Sequence, residues 1–197
     1  MHVYIVYAHP SKRSFSRSVL DAFTRGLAEV GHSYEIADLY EMDFQSELDE
    51  AQYVRETSMN PDFPVPPDVE REQAKIGRAQ GMAFIYPVWW SDCPAKLKGW
   101  FDRVLAYGYA YLYETDGARG TRVNIEKALA LCSAGHTVEH LEEIGIAESM
   151  RRIMLNDRLL GIGVKQAHME ILGGMMPRDD TYRERNLRKA YELGREF

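Results

Sequence analysis

Cysteine is scarce in this sequence, which has only Cys93 and Cys132 among its 197 residues. Two cysteines are too few for a disulfide framework, and they suit a reducing compartment. We expect both to be small apolar side chains in the core of a cytoplasmic protein. The sequence also lacks a signal-peptide pattern and any apolar run long enough to cross a bilayer, so direct membrane insertion is not expected.

An excess of positive charge is also missing. Lysine and arginine total 24 against 30 aspartate and glutamate residues, which gives a formal net charge of −6. A nucleic-acid-binding protein needs a concentrated basic face to contact phosphates, so that class is not expected. One small anion pocket remains compatible with this balance. No metal site is expected either.

Five apolar runs predict the strands of one sheet. They cover residues 3–7, 33–38, 82–86, 127–132 and 164–172. Most are rich in β-branched and aromatic residues, which is typical of strands buried on both faces. Stretches with helical periodicity lie between them and end at Gly31 or cover 68–78, 94–106, 146–160 and 179–194. The helix over 146–160 is expected to bury Ile146, Met150, Ile153 and Met154.

Strands that alternate with helices in this way predict an α/β fold. We expect a single domain over 1–197, with a flavodoxin-like, doubly wound five-stranded parallel sheet in the order 2-1-3-4-5 and helices on both faces. Residues 40–67 form an acidic, proline-rich excursion from this pattern. A long irregular insertion of this kind serves as a lid or as an arm toward a partner such as a second subunit, or it is poorly ordered.

The loop after the first strand is rich in groups that bind anions. Residues 8–16 read Ala-His-Pro-Ser-Lys-Arg-Ser-Phe-Ser and lead into a helix. A strand, a polar loop and a helix in that order bring backbone N–H groups to the positive end of the helix, which suits a phosphate. The alternative is that Ser14 and Ser16 only cap the helix. That alternative leaves His9, Lys12 and Arg13 unexplained.

The loop after the third strand carries two adjacent tryptophans, Trp89 and Trp90, before a helix that starts at Pro94. Aromatic side chains at the carboxyl end of a strand in an open α/β sheet favour a site for a flat ligand, although they could also anchor a core or an interface. The loop after the fourth strand has the small residues 133–135, which permit close backbone approach. Four tyrosines alternate over 107–113, as in an aromatic edge strand or a ligand site.

Two motifs give this chain a resemblance to a known family. The first is His9-Pro10 followed by Ser14-Phe15. The second is Pro-Val-Trp-Trp at 87–90, then Pro-Ala-Lys-Leu-Lys-Gly-Trp-Phe-Asp-Arg-Val at 94–104 and Gly-Tyr-Ala-Tyr at 108–111. Their order and spacing resemble the flavodoxin-like NAD(P)H:quinone oxidoreductases, which include the ancillary subunits of potassium efflux channels.

The resemblance implies three sets of cofactor-binding residues. The phosphate end of the flavin is held by His9, Ser14, Phe15 and Ser16. The isoalloxazine is lined by Pro87, Val88, Trp89 and Trp90, with loop N–H groups directed at its N5 and O4 edge. The pyrimidine edge contacts Ser133, Ala134 and Gly135. The family pattern at the last loop is Thr-Thr-Gly-Gly, so this chain departs from it. The tyrosine that the family places further on is absent, which leaves His136 and His140 as the candidate catalytic residues.

The resemblance also implies the cofactors and partners. The cofactor is FAD or FMN, NAD(P)H is the electron donor, and a quinone or a similar small molecule is the acceptor. Members of the family usually form homodimers, and we expect one here. Two other classes stay open: a regulatory flavoprotein that binds a membrane transporter, and a one-electron carrier of the flavodoxin type.

Overall fold

The computed structural model describes residues 1–113, 117–176 and 180–197. Its central sheet is made of β1 (His2–Tyr7), β2 (Ser33–Asp38), β3 (Gly81–Pro87), β6 (Lys127–Ser133) and β7 (Gln166–Leu172). These strands pair in parallel in the order β2-β1-β3-β6-β7. The predicted order is therefore confirmed. Two short strands, β4 (Leu112–Tyr113) and β5 (Arg119–Gly120), form a separate antiparallel pair.

Helices cover both faces of the sheet, as predicted. They are α1 (Phe15–Glu29), α2 (Glu50–Ser58), α3 (Pro67–Arg78), α4 (Ala95–Val104), α5 (Val138–Glu143), α6 (Ile146–Arg151) and α7 (Asp180–Glu196). One core lies between the sheet and α3, α4 and α6, where Tyr4, Phe84 and Trp100 are buried. The other lies between the sheet and α1 and α7. The side chains of alternate residues in the central strands point into one core or the other, which is why these strands are apolar throughout.

Helices α1 and α7 cross with almost no side chain between them. A Cβ atom on Gly26 would lie 2.3 Å from the Tyr191 carbonyl oxygen, and one on Gly194 would lie 2.2 Å from that of Phe23. This close contact fixes the position of α7 relative to the loop that precedes α1. It matters for function because the start of α7 faces that loop.

The segment 40–67 differs from the prediction of an irregular excursion, because it contains α2. Asp49 caps this helix by accepting a hydrogen bond from the N–H of Gln52. Its buried side chains are Gln52 and Arg55, whereas Tyr53 and Val54 are more than half exposed. Helix α2 is thus held by polar contacts: Arg55 donates to the carbonyl of Tyr107 and Gln52 to that of Arg103.

The helix predicted over 146–160 is also different in detail. After α6 the chain continues as a π-helix over Arg152–Leu159 and a 3₁₀ turn over Leu160–Ile162. With wider turns, positions four apart stay on one face, so Met150, Met154 and Arg158 point inward. Ile153, which we expected to be buried, is 43% exposed.

Three smaller expectations can be compared with the structure. Cys93 and Cys132 are buried as predicted, and burial raises the pKa of each thiol to about 12. Tyr34 and Ile36 lie on β2, one of the five strands predicted from apolar runs, but they are 40% and 39% exposed, because β2 is an edge strand of the sheet. Among the described residues, no helix has the length and apolarity that a membrane span requires.

Candidate functional site

The N-terminus of α1 presents backbone donors that the protein itself does not use. Ser14 is the N-cap, and its Oγ accepts from the N–H of Arg17 at 3.1 Å and lies 3.2 Å from the Tyr7 hydroxyl. Within the described chain, the N–H groups of Phe15 and Ser16 donate to no protein acceptor. Two free N–H groups at the positive end of a helix are the donor set of an anion site.

His9 adds a side-chain donor beside this N-terminus. Its Nδ1 accepts a hydrogen bond of 2.9 Å from the N–H of Ser11, so the neutral ring carries its proton on Nε2. Partial burial lowers the pKa of His9. Its ring centroid lies 6.0 Å from that of Trp89, which brings the first and third strand loops together as predicted.

A polar cavity of about 600 Å³ opens next to these groups. It is lined by His9, Ser11, Arg13, Ser14, Phe15, Met175, Asp180 and Arg183. The guanidinium of Arg183 lies 5.1 Å above the centre of the Phe15 ring, which fixes one cation at the cavity wall. Three of these lining residues were not predicted from the sequence, namely Met175, Asp180 and Arg183. Asp180 and Arg183 belong to α7, a charged terminal helix whose sequence resembles that of any solvated helix, and Met175 lies in the loop after β7.

The aromatic loop forms a tight turn from Trp89 to Asp92. The N–H of each of these two residues donates to the carbonyl of the other, at 2.9 and 3.2 Å. Trp90 and Ser91, at the tip, have φ values of 50° and 64°. The Trp90 side chain is 100% exposed and that of Trp89 is 41% exposed. Neither tryptophan is therefore a core anchor in this chain.

The turn leaves a specific pair of donors open. The N–H of Val88 donates to the Ser133 carbonyl at 2.8 Å, and Pro87 is buried. Of the N–H groups over 88–93, all of which the structure describes, only those of Trp90 and Ser91 have no protein acceptor. Of the residues 87–90 that we predicted to line the isoalloxazine, Pro87 and Val88 thus support the turn from inside. Trp89 and Trp90 face solvent.

The loop after β6 joins the site through side chains and backbone. Ser133 Oγ lies 3.1 Å from the Ser16 Oγ, which links this loop to α1. The carbonyls of Ala134 and Gly135 accept from the N–H groups of Met175 and Met176. In the described chain, the N–H groups of Gly135 and His136 remain without a protein acceptor. The three predicted loops therefore meet at the carboxyl edge of the sheet.

The candidate catalytic residues lie just beyond this loop. His136 and His140 are both exposed, with ring centroids 5.0 Å apart. The His136 carbonyl accepts from the N–H of Gly174, so its backbone is fixed while its ring stays accessible.

The tyrosines of 107–113 are not part of this crevice. The Tyr109 hydroxyl donates to the Gln73 carbonyl, and the Tyr109 carbonyl accepts from the N–H of Arg122, which lies on the segment leading into β6. These contacts place the tyrosines at the amino edge of the sheet, opposite the tryptophans. Tyr113 is 54% exposed. The aromatic residues thus form two separate groups.

Comparison with known proteins agrees with this architecture. A family model described as a flavodoxin-like fold matches residues 1–193. An uncharacterised NAD(P)H oxidoreductase of Haemophilus influenzae is 30% identical over 185 residues, covering 93% of this chain and 89% of that protein. Rat NAD(P)H dehydrogenase [quinone] 1 is 31% identical over 66% of this chain, which spans about half (53%) of its length.

Solved structures are similar over the whole chain. An NAD(P)H:quinone oxidoreductase from Methanothermobacter marburgensis is 63% identical, with a TM-score of 0.95 over 100% of this chain and 96% of that one. An FMN-dependent NADH-azoreductase from Bacillus anthracis, in complex with FMN, is 17% identical with a TM-score of 0.73 over 99% and 98% of the two chains. At that identity the second likeness shows the fold alone.

Proposed function

The chain belongs to the flavodoxin-like family of NAD(P)H:quinone oxidoreductases, and on this basis we propose that it binds FAD in the crevice described above and reduces a quinone or a similar acceptor at the expense of NAD(P)H. One observation carries the proposal. Free N–H donors at the start of α1 and an exposed aromatic turn are joined into one site by the Ser16–Ser133 and His9–Trp89 contacts.

The donor set fits the phosphate end of a flavin. The donors are the N–H groups of Phe15 and Ser16 and the Nε2–H of His9. Groups of this kind bind an anion by hydrogen bonding, and none of these three carries a full positive charge. Ser14 and Ser16 add hydroxyl groups at the same place. Hydrogen bonds to an ionised acceptor contribute roughly 1.5–3 kcal/mol each, so a few of them suffice for firm binding.

The cavity favours FAD over FMN. A volume of about 600 Å³ exceeds what one phosphate needs, and two arginines, Arg13 and Arg183, line it beyond Ser14. Among the lining residues that the structure describes, the two guanidinium groups outnumber the one carboxylate, that of Asp180, so the cavity suits a second phosphate. A site for FMN would end at the N–H groups of α1.

The chain's own residues then bind and orient the reactants. When bound, the flavin supplies the redox chemistry, in which a hydride comes from NAD(P)H and the reducing equivalents go to the acceptor. The open N–H groups of Trp90 and Ser91 would donate to its N5 and O4 edge, and those of Gly135 and His136 to its pyrimidine edge. Preorganised donors of this kind would stabilise the negative charge that develops there. His136 and His140 are our candidates for holding a proton near that edge.

We also propose a homodimer. The Trp90 side chain is fully exposed, and Tyr53, Val54, Met59 and Phe63 on and after α2 are all close to or above half exposed. Aromatic residues and methionine are enriched at interface cores. These side chains support a role for 40–67 as a dimer arm rather than as a lid.

The cofactor can be identified directly. Protein purified without added flavin should release FAD on denaturation, as detected by mass spectrometry, and the apoprotein should bind FAD more tightly than FMN. In Arg183→Met, FAD affinity should fall roughly 10- to 100-fold because one charge-assisted contact is lost. FMN affinity should change little, which makes it the internal control. Equal losses for both flavins would contradict the assignment of Arg183, and no binding of either would contradict the function.

A further inference from the structure

A buried arginine that lies behind the crevice holds the turn that carries Trp90. Arg158 is 8% exposed, and its two terminal nitrogens donate to the two carboxylate oxygens of Asp92 at 2.8 and 2.9 Å. Its guanidinium also lies 5.1 Å from the centre of the Phe101 ring. The bidentate ion pair and the cation–π contact with Phe101 together restrain the orientation of the guanidinium.

Asp92 transmits this restraint to the turn. Its Oδ1 accepts from the N–H of Cys93 at 2.7 Å, and its backbone closes the turn with Trp89. The carboxylate is therefore fixed from both sides, by its own chain and by Arg158. Arg158 reaches it from the π-helix over Arg152–Leu159, an irregularity that is frequent at functional sites.

The turn needs such a restraint because its tip is strained. Trp90 and Ser91 both have positive φ, which L-residues other than glycine adopt at a cost. Two-residue turns with this geometry normally use Asn-Gly or Asp-Gly. Burial of the Trp90 side chain does not offset this conformational cost, since the side chain is fully exposed. Local sequence therefore disfavours the conformation that leaves the two tip N–H groups open.

We propose that Arg158 is a positioning residue: through Asp92 it holds the Trp89–Asp92 turn in the conformation that presents the Trp90 ring and the Trp90 and Ser91 N–H groups to the ligand. This inference rests on the proposed function, since the ligand in question is the flavin. It adds to that function a residue that does not touch the crevice and that no sequence motif indicated.

The test compares Arg158→Met and Arg158→Lys with a rescue variant. Arg158→Met keeps a long side chain over Phe101 but removes the ion pair, whereas lysine keeps the charge and loses the bidentate geometry. Ser91→Gly removes the strain at one tip residue without touching the pair. The double variant Arg158→Met/Ser91→Gly tests whether removing the backbone strain restores the turn conformation that Arg158 otherwise holds. Asp92→Asn repeats the perturbation from the exposed side, in case the buried variants fold poorly.

Two readouts are used. Amide hydrogen exchange at Trp89 and Asp92 in the apoprotein reports turn closure without any cofactor. We expect at least a tenfold faster exchange in Arg158→Met and an intermediate effect in Arg158→Lys. FAD affinity should fall at least tenfold in Arg158→Met relative to wild type. It should fall much less in the double variant relative to Ser91→Gly, which serves as its reference.

Each outcome has a distinct meaning. Wild-type protein that binds FAD, together with an Arg158→Met variant that keeps slow exchange and full affinity, overturns this inference alone. Faster exchange and weaker binding that Ser91→Gly fails to rescue also overturn it, because the arginine then acts on general stability rather than on the turn. Wild-type protein that binds no flavin overturns the proposed function, and the role given to Arg158 falls with it.

Discussion

Replacing Ser14 with aspartate separates the two roles that the position of this residue allows. Ser14 caps α1 by accepting from the N–H of Arg17, and in our proposal it also borders the phosphate of the flavin. Aspartate is as good an N-cap as serine, and its charge suits the positive end of the helix. We therefore expect Ser14→Asp to fold normally, with an unchanged or slightly higher melting temperature.

Flavin affinity should respond in the opposite way. The new carboxylate would stand beside the free N–H groups of Phe15 and Ser16, where the phosphate binds. Two unit charges ~4 Å apart repel by about 4 kcal/mol at an effective dielectric near 20. A free energy of that size corresponds to roughly a thousandfold weaker binding, since each 1.4 kcal/mol is a factor of ten.

Ser14→Ala is the matched control, because it removes the hydroxyl without adding a charge. Loss of the cap should cost about 1 kcal/mol of stability, which lowers the melting temperature by about 2–4 °C for a domain of this size. Affinity should fall roughly 10- to 100-fold, the worth of one hydrogen bond to an ionised acceptor, which is well short of the loss expected for aspartate. The assay pairs thermal melting of the apoproteins with titration of FAD followed by flavin fluorescence. Normal affinity in Ser14→Asp would show that Ser14 only caps the helix and that the phosphate lies elsewhere.

Three further predictions concern packing, pH and assembly. Gly26→Ala should lower stability by about 1–3 kcal/mol through overpacking against α7, whereas Gly77→Ala, where a Cβ atom meets nothing within 4 Å, should be neutral or stabilising in thermal melts. Burial raises the pKa of Asp92, but the hydrogen bonds from Arg158 and from Cys93 and the charge of Arg158 together outweigh it, so the net pKa is lowered. The melting temperatures of wild type and Asp92→Asn should therefore differ above about pH 4 and converge as pH falls below it; a gap that persists in acid would contradict this. Light scattering of the flavin-loaded protein at micromolar concentration should give the mass of a dimer. A monomer mass would contradict the proposed role of residues 40–67 as a dimer arm.

The sheet could be predicted because its central strands are buried on both faces. Residues 81–87 are buried without exception, and such a strand has an apolar sequence whatever surrounds it. The free N–H groups at the start of α1 were predictable for a related reason, since a polar loop between a buried strand and a helix leaves its N–H groups at the helix start.

Helix α2 could not be predicted, because its pattern is inverted. It buries Gln52 and Arg55 and exposes Tyr53 and Val54. A hydrophobic periodicity analysis assigns the wrong face to such a helix or finds none. Arg158 and Arg183 were missed for a similar reason: a buried or cavity-lining arginine has the same sequence context as a solvated one. Their roles depend on partners far away in sequence, Asp92 and Phe15 respectively.

The tyrosines of 107–113 show a different limit. Alternation of aromatic residues indicates that one face is apolar, but not which end of the sheet the segment reaches. That end is decided by the length of α4, which returns the chain to the amino edge. Contacts with α3 and with the segment before β6 then fix the tyrosines there.

The most direct test of the account is anaerobic addition of NADH or NADPH to the flavin-loaded protein, followed by a water-soluble quinone. We predict that the visible absorbance of the bound flavin is lost on addition of one of the two nucleotides and returns fully when the quinone is added. Flavin that binds in the crevice but keeps its oxidised spectrum with both nucleotides would contradict the central claim that this chain is an NAD(P)H-dependent oxidoreductase.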